Sequence, residues 1–122
     1  MPRRRRAKMP PSPDHSYCVA LCTCPPEKAE EIAGELVRRR VCACVNVVPG
    51  LTSVYEWKGE VERDSESLLV IKTRADRFGE LEAAVAAVHP YEVFELIALP
   101  VERGNAAYLG WIDSVLGADS SE

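Results

Sequence analysis

The sequence predicts one small α+β domain that works as an oligomer of identical subunits. Three observations predict it. Apolar runs of strand type and amphipathic runs of helix type alternate in the order β-α-β-β-α-β. A chain of 122 residues fits one domain and can bury roughly two-thirds of its unfolded surface, enough for a core without disulfides or metal. The strand runs are apolar at both alternating sets of positions, whereas a sheet with one wet face alternates apolar and polar. In the first run Tyr17, Val19 and Leu21 point one way and Cys18, Ala20 and Cys22 the other. In the second, Val41, Ala43, Val45 and Val47 oppose Cys42, Cys44 and Val48. Two helices cover only one face, and another copy of the chain is the covering expected for the second.

The elements follow in order. Tyr17–Cys24 (YCVALCTC) reads as a buried strand, stopped by Pro25 and Pro26, and proline suits the first turn of a helix. A helix is expected from Glu27 to about Arg40. Ala29, Ile32, Ala33, Leu36 and Val37 form its apolar stripe, with Glu27, Glu30 and Glu31 at its start and Arg38, Arg39 and Arg40 at its end, as the helix dipole favours. Val41–Val48 is the second strand. Pro49-Gly50 marks a bulge or bend within it, and Leu51–Trp57 resumes the strand. Lys58-Gly59 reads as a hairpin turn and Glu60–Thr73 as the return strand. Strands this long overrun a small domain, so their distal halves are expected to project as an arm. Arg74-Ala75-Asp76 opens a second helix to Val88, with Phe78, Leu81, Val85 and Val88 at helical spacing, and His89-Pro90 ends it. Glu92–Val101 is the fourth strand. Gly104-Asn105 caps a last helix over Ala106–Leu116. This order is the split βαβ, or ferredoxin-like, arrangement.

Composition bounds the function. The net charge of −4 divides unevenly: residues 1–16 hold five basic residues and one acid, leaving a net of −8 on the rest. An acidic body lacks the basic face that nucleic acid requires. No apolar stretch spans a membrane. The basic start MPRRRRAKMPPSP has no apolar segment and is not a secretory signal. Residues 1–16 are expected to be a disordered tail, 17–118 the folded domain and 119–122 a disordered end. Five cysteines, Cys18, Cys22, Cys24, Cys42 and Cys44, with C-x-C rather than C-x-x-C spacing, point to free thiols in a reducing cytoplasmic setting. Cys42 and Cys44 are expected on one side of their strand, too far apart for an easy disulfide.

Several stretches resemble one family. CVNVVPGLTSVYEWKGEVERDSESLLVIKTRA (44–75) and HPYEVFELIALPVERGNAAYLGWI (89–112) resemble the CutA family of divalent-cation tolerance proteins. LCTCPPEKAEEIAGELV (21–37) is similar to that family's opening strand and helix. The resemblance spans roughly residues 18–116. It implies a ferredoxin-like homotrimer of PII-like architecture, with three sheets turned inward and the long hairpin reaching a neighbour. It also implies divalent metal binding, copper first and zinc second, at a first-strand cysteine and at histidines before Pro-Tyr. Carried over, these are Cys22 and His89. The other histidine is replaced by Val88. Phe94 stands where many relatives have proline, and Cys24 where relatives often have alanine.

Each candidate has a plainer reading beside it. A thiolate and an imidazole suit copper or zinc, but Cys22 can equally be a small buried hydrophobe. Tyr55, Trp57, Lys72, Tyr91, Glu92 and Glu95 can wall an inter-subunit cleft for a small anion or metabolite, with Lys72 as its charge. They can also be a hydrogen-bonded subunit interface. An enzyme is not expected. No G-x-S-x-G elbow, phosphate-binding glycine loop or H-E-x-x-H motif occurs, and only His15 and His89 are present. No organic cofactor is expected. The expected function is divalent metal binding in metal tolerance, with a PII-like signalling or scaffold trimer as the alternative.

Overall fold

The computed structural model describes residues 16–117. The basic tail, Ser16 apart, and the end at 119–122 lie outside the described residues. Four strands and three helices follow in order: β1 (Tyr17–Cys24), α1 (Ala29–Arg38), β2 (Cys44–Trp57), β3 (Glu60–Arg74), α2 (Phe78–Val88), β4 (Ile97–Pro100) and α3 (Ala106–Leu116). The sheet order is β2-β3-β1-β4, and every neighbouring pair is antiparallel. The ferredoxin-like expectation therefore holds.

Helices α1 and α2 cover one face. Their Ile32, Leu36, Leu81 and Val85 share a core with Ala20, Cys22 and Cys24 of β1 and Leu69 and Ile71 of β3. Both helices start through one 3-10 turn, Pro26–Lys28 and Ala75–Arg77, so each α-helix begins a little later than its sequence run. Arg40 takes a left-handed backbone (φ 58°) and breaks off α1.

The long hairpin is as expected. Lys58 (φ 52°) and Gly59 (φ 86°) are both left-handed, the geometry of a tight turn matched to strand twist. The register slips between Val48 and Leu51, where Pro49 lacks an N–H and Gly50 supplies a positive φ of 83°. An edge strand tolerates both. Val54, Tyr55, Trp57 and Val61 stand exposed on this arm.

Two strand expectations are corrected. The second strand begins at Cys44, not Val41, because the chain leaves α1 irregularly. Cys42 turns into the core under the helices while Ala43 joins the cluster under α3. Cys44 pairs with Lys72 on the other face, so Cys42 and Cys44 do not share a side. The fourth strand is only Ile97–Pro100 rather than 92–101. Residues 91–96 are tied to His89, Thr23 and Glu66 by ring stacking and side-chain bonds instead of joining a ladder.

The second face is divided into three zones along β1. At Tyr17 it is covered by α3, whose Ile112 and Leu116 pack with Tyr17 and Ala43. This docking is fastened by a buried charge network. Arg74, with 0% exposure, meets Asp113 at 3.1 Å, and the Tyr17 hydroxyl donates to Asp113 at 2.6 Å. In the middle, Val19 and Leu21 lie in register with Lys72 and Val70 on one side and Leu99 and Ile97 on the other. Ile97 and Leu99 are 52% and 50% exposed, so this apolar zone is left open by the chain's own helices. At the far end, Thr23 opens onto a groove.

Candidate functional site

The groove runs along the hairpin arm, from Glu66 to Trp57 beside the turn, and encloses about 680 Å³. Strand alternation supplies two walls. Ser53, Tyr55 and Trp57 recur on β2 opposite Asp64, Glu62 and Glu60 of β3, and Glu66 lies two residues beyond Asp64, on the same face of β3. The segment Tyr91–Glu95 forms the third wall.

His89 holds that third wall in place. Pro90 forces His89 out of the helical region, and it takes an extended backbone (ψ 136°). Its side chain is nearly buried, at 8% exposure. The Tyr91 N–H donates to Nδ1 at 3.1 Å, and Nε2 lies 2.9 Å from the Thr23 carbonyl oxygen. A carbonyl only accepts, so Nε2 carries the proton and the ring is the neutral Nε2–H tautomer. Both ring nitrogens are thus engaged. Phe94 stacks on the ring with centroids 5.3 Å apart, and Tyr91 leans on it at 4.8 Å.

Every hydroxyl–carboxylate contact in the groove points the same way. Tyr91 donates to Glu66 at 2.9 Å, Tyr55 donates to Asp64, and Thr23 donates to Glu95 at 3.3 Å. Burial, and then the hydrogen bond to Glu66, raises the Tyr91 phenol above its ordinary value. The bond to Asp64 leads the causes that raise Tyr55 to about 12. Both phenols stay protonated donors at neutral pH.

Cys22 lies on the opposite side of β1 from Thr23, fully buried with the helices. Its thiol points at the Thr23 carbonyl, 3.7 Å away, the same oxygen that receives His89. The structure therefore brings Cys22 and His89 to one atom. Burial, followed by the neighbouring Cys24, Glu95 and Glu66, pushes the Cys22 thiol up to about 12, so it is a thiol and not a thiolate at neutral pH. Among the described residues no group of three or more His, Cys, Asp or Glu side chains is placed to hold a metal ion. All five cysteines are free thiols.

Tyr55, Trp57, Tyr91, Glu92 and Glu95 come together in the groove. Lys72 does not. It bonds Asn46 on the second face toward α3, with Val70 and Leu68 between it and Glu66 along β3. Val88 packs at the edge of the helix-side core. Sequence reasoning missed Thr23, Asp64 and Glu66. Their only local sign is the D-x-E alternation on β3, which looks like ordinary surface charge.

A split βαβ sheet with two helices on one face, a third on part of the other, and a groove along a long hairpin defines a small PII-like α+β class of protein. The family model for the CutA1 divalent ion tolerance protein matches residues 18–115, and the chain belongs to that family. It is 54% identical to protein CutA of Mus musculus over 101 residues, which are 82% of this chain and 57% of the mouse protein. The chain thus spans little more than half of that relative. It is 52% identical to the divalent-cation tolerance protein CutA of Thermus thermophilus over 95 residues, covering 77% of this chain and 92% of that one. The solved Thermus thermophilus structure superposes with a TM-score of 0.80 at 49% identity, covering 83% of this chain and 99% of that chain. The PII-like protein CutA from Nostoc gives 0.77 at 32%, covering 82% and 97%.

Proposed function

We propose that the chain forms a homotrimeric, PII-like member of the divalent-cation tolerance family that binds its ligand in the acidic, aromatic groove. In this reading Cys22 and His89 build the groove's support rather than a metal centre. One observation carries it. Both nitrogens of His89 are engaged within the protein, while the groove beside it holds Asp64, Glu66, Glu92 and Glu95 against three aromatic rings. Leu21 and Leu68 follow Thr23 and Glu66 along the same faces of β1 and β3 toward the open apolar zone, which supports reading the groove's rim as an inter-subunit cleft in the trimer. In this reading the chain acts as a binding protein, and burial, which pushes the Cys22 thiol up to about 12, makes it a poor nucleophile. Free cysteines fit a cytoplasmic home. Among the described residues no helix is long and apolar enough to cross a membrane.

A copper centre at Cys22 and His89, or less favourably a zinc one, is the second reading, because the two side chains meet at the Thr23 carbonyl. It requires Cys22 to lose its proton and His89 to release Tyr91 or Thr23. Thermal-shift screening of a metabolite and metal panel separates the two. A groove ligand at a hundred times its Kd should stabilise the protein by about 2.7 kcal/mol, equally in wild type and Cys22→Ser, and not in Tyr91→Ala. Stabilisation by copper alone, abolished by Cys22→Ser, would overturn the groove reading.

A further inference from the structure

We infer that the groove selects a small organic cation, an ammonium group on a short apolar or aromatic body, with Glu66 as its counter-charge. The inference rests on the reading of the groove as the ligand site. Glu66 is only 6% exposed and lines the cavity. Its one recorded hydrogen bond is from the Tyr91 hydroxyl, a neutral donor that satisfies one oxygen and supplies no positive charge. No lysine or arginine among the described residues forms an ion pair with it. A buried carboxylate without a counter-ion is costly, so the site is built to be completed by a cation from outside.

The remaining groups agree. The hydroxyls of Thr23, Tyr55 and Tyr91 are already turned onto Glu95, Asp64 and Glu66. An entering anion would meet carboxylates whose nearby hydroxyls are occupied, and Lys72 is elsewhere. The net charge of −8 outside the tail adds a long-range attraction for cations. The cation is organic rather than a bare metal for two reasons. No three ligands converge among the described residues, and the rings of Tyr55, Trp57 and Tyr91 line the cavity, where aromatic surface favours ammonium groups and covers an apolar body; Trp57 already carries the Lys58 ammonium over one face, 5.9 Å from its centroid. A cavity of about 680 Å³ is of the size that holds small organic ligands.

The test uses three probes of one shape: 2-phenylethylamine, 2-phenylethanol and 3-phenylpropanoate, with manganese(II) chloride as a fourth. Binding is read from Trp57 fluorescence in the full chain carrying Trp111→Phe. The amine is expected to bind about tenfold or more tightly than the acid. Glu66→Gln, which keeps an acceptor for Tyr91, should remove that advantage and leave the alcohol unchanged. The acid binding as well as the amine, Glu66→Gln leaving the amine unaffected, or manganese binding more tightly than the amine would each overturn the inference. If all three organic probes bind alike and Tyr91→Ala abolishes them, the groove stands and its cation preference falls. If none perturbs Trp57, both fall.

Discussion

An Ile97→Asp, Leu99→Asp double variant is expected to run as a 13.5 kDa monomer in size-exclusion chromatography with light scattering, where the native chain is expected to run at three times that mass. The two side chains stand in register with Leu21 and Val19 on the face that α1 and α2 do not reach. They are about half exposed in the single chain, so replacing them leaves the chain's own core untouched, and circular dichroism should change little. Full burial of such a side chain is worth about 1.5–3 kcal/mol. The half left to a neighbour is then worth about 1 kcal/mol per side chain, repeated around the ring. A carboxylate stranded in an apolar interface costs several kcal/mol more per copy. A double variant that remains trimeric would show that this face is not the one that assembles.

The second large effect concerns the docking of α3. Asp113→Ala is expected to destabilise the chain by about 3–5 kcal/mol, the usual result of removing one partner from a buried ion pair. Arg74 is fully buried, and its other recorded carboxylate partner is Asp76, at 3.1 Å and partly exposed. The variant also takes the acceptor from the buried Tyr17 hydroxyl. Because Tyr17 and Ala43 depend on α3 for cover, protease cleavage near Gly104 should accelerate. The paired change Arg74→Met, Asp113→Leu should recover most of the loss, since a buried ion pair replaced by apolar groups is often neutral. A loss below about 1 kcal/mol for Asp113→Ala, read from urea unfolding, would contradict the account.

Most of the fold is legible in residue order. Strand runs with two apolar faces, Pro25-Pro26, Pro49-Gly50, Lys58-Gly59 and His89-Pro90 each mark a boundary or bend that the structure contains, and Asn105 caps α3 as its type suggests, accepting from the Tyr108 N–H at 3.0 Å. Misread stretches are those where alternation serves something other than a ladder. Residues 92–96 alternate like a strand, yet Phe94 stacks on His89 and Glu95 accepts from Thr23. Val41–Ala43 look like strand residues because each is buried, but they are divided between two cores.

The site was legible only in part. Tyr55, Trp57, Tyr91, Glu92 and Glu95 stand out as types and do meet. Glu66 is 25 residues from the hydroxyl that binds it, and no local rule links them. Lys72 reads as the cleft's charge, but its register places it at the α3 end, bonded to Asn46. Arg74 and Asp113 give no sign in the sequence, since Arg74 reads as part of the turn that opens the second helix and only the fold brings it to Asp113. His89 is singled out by its motif, but only the folded chain shows that both nitrogens are engaged.

Native mass spectrometry of the full chain with excess copper(II) tests the central claim most directly, because it counts subunits and retained metal together. Three subunits of 13.5 kDa and a copper count that Cys22→Ser does not change are expected. A monomer, or three retained copper ions that Cys22→Ser removes, would contradict it.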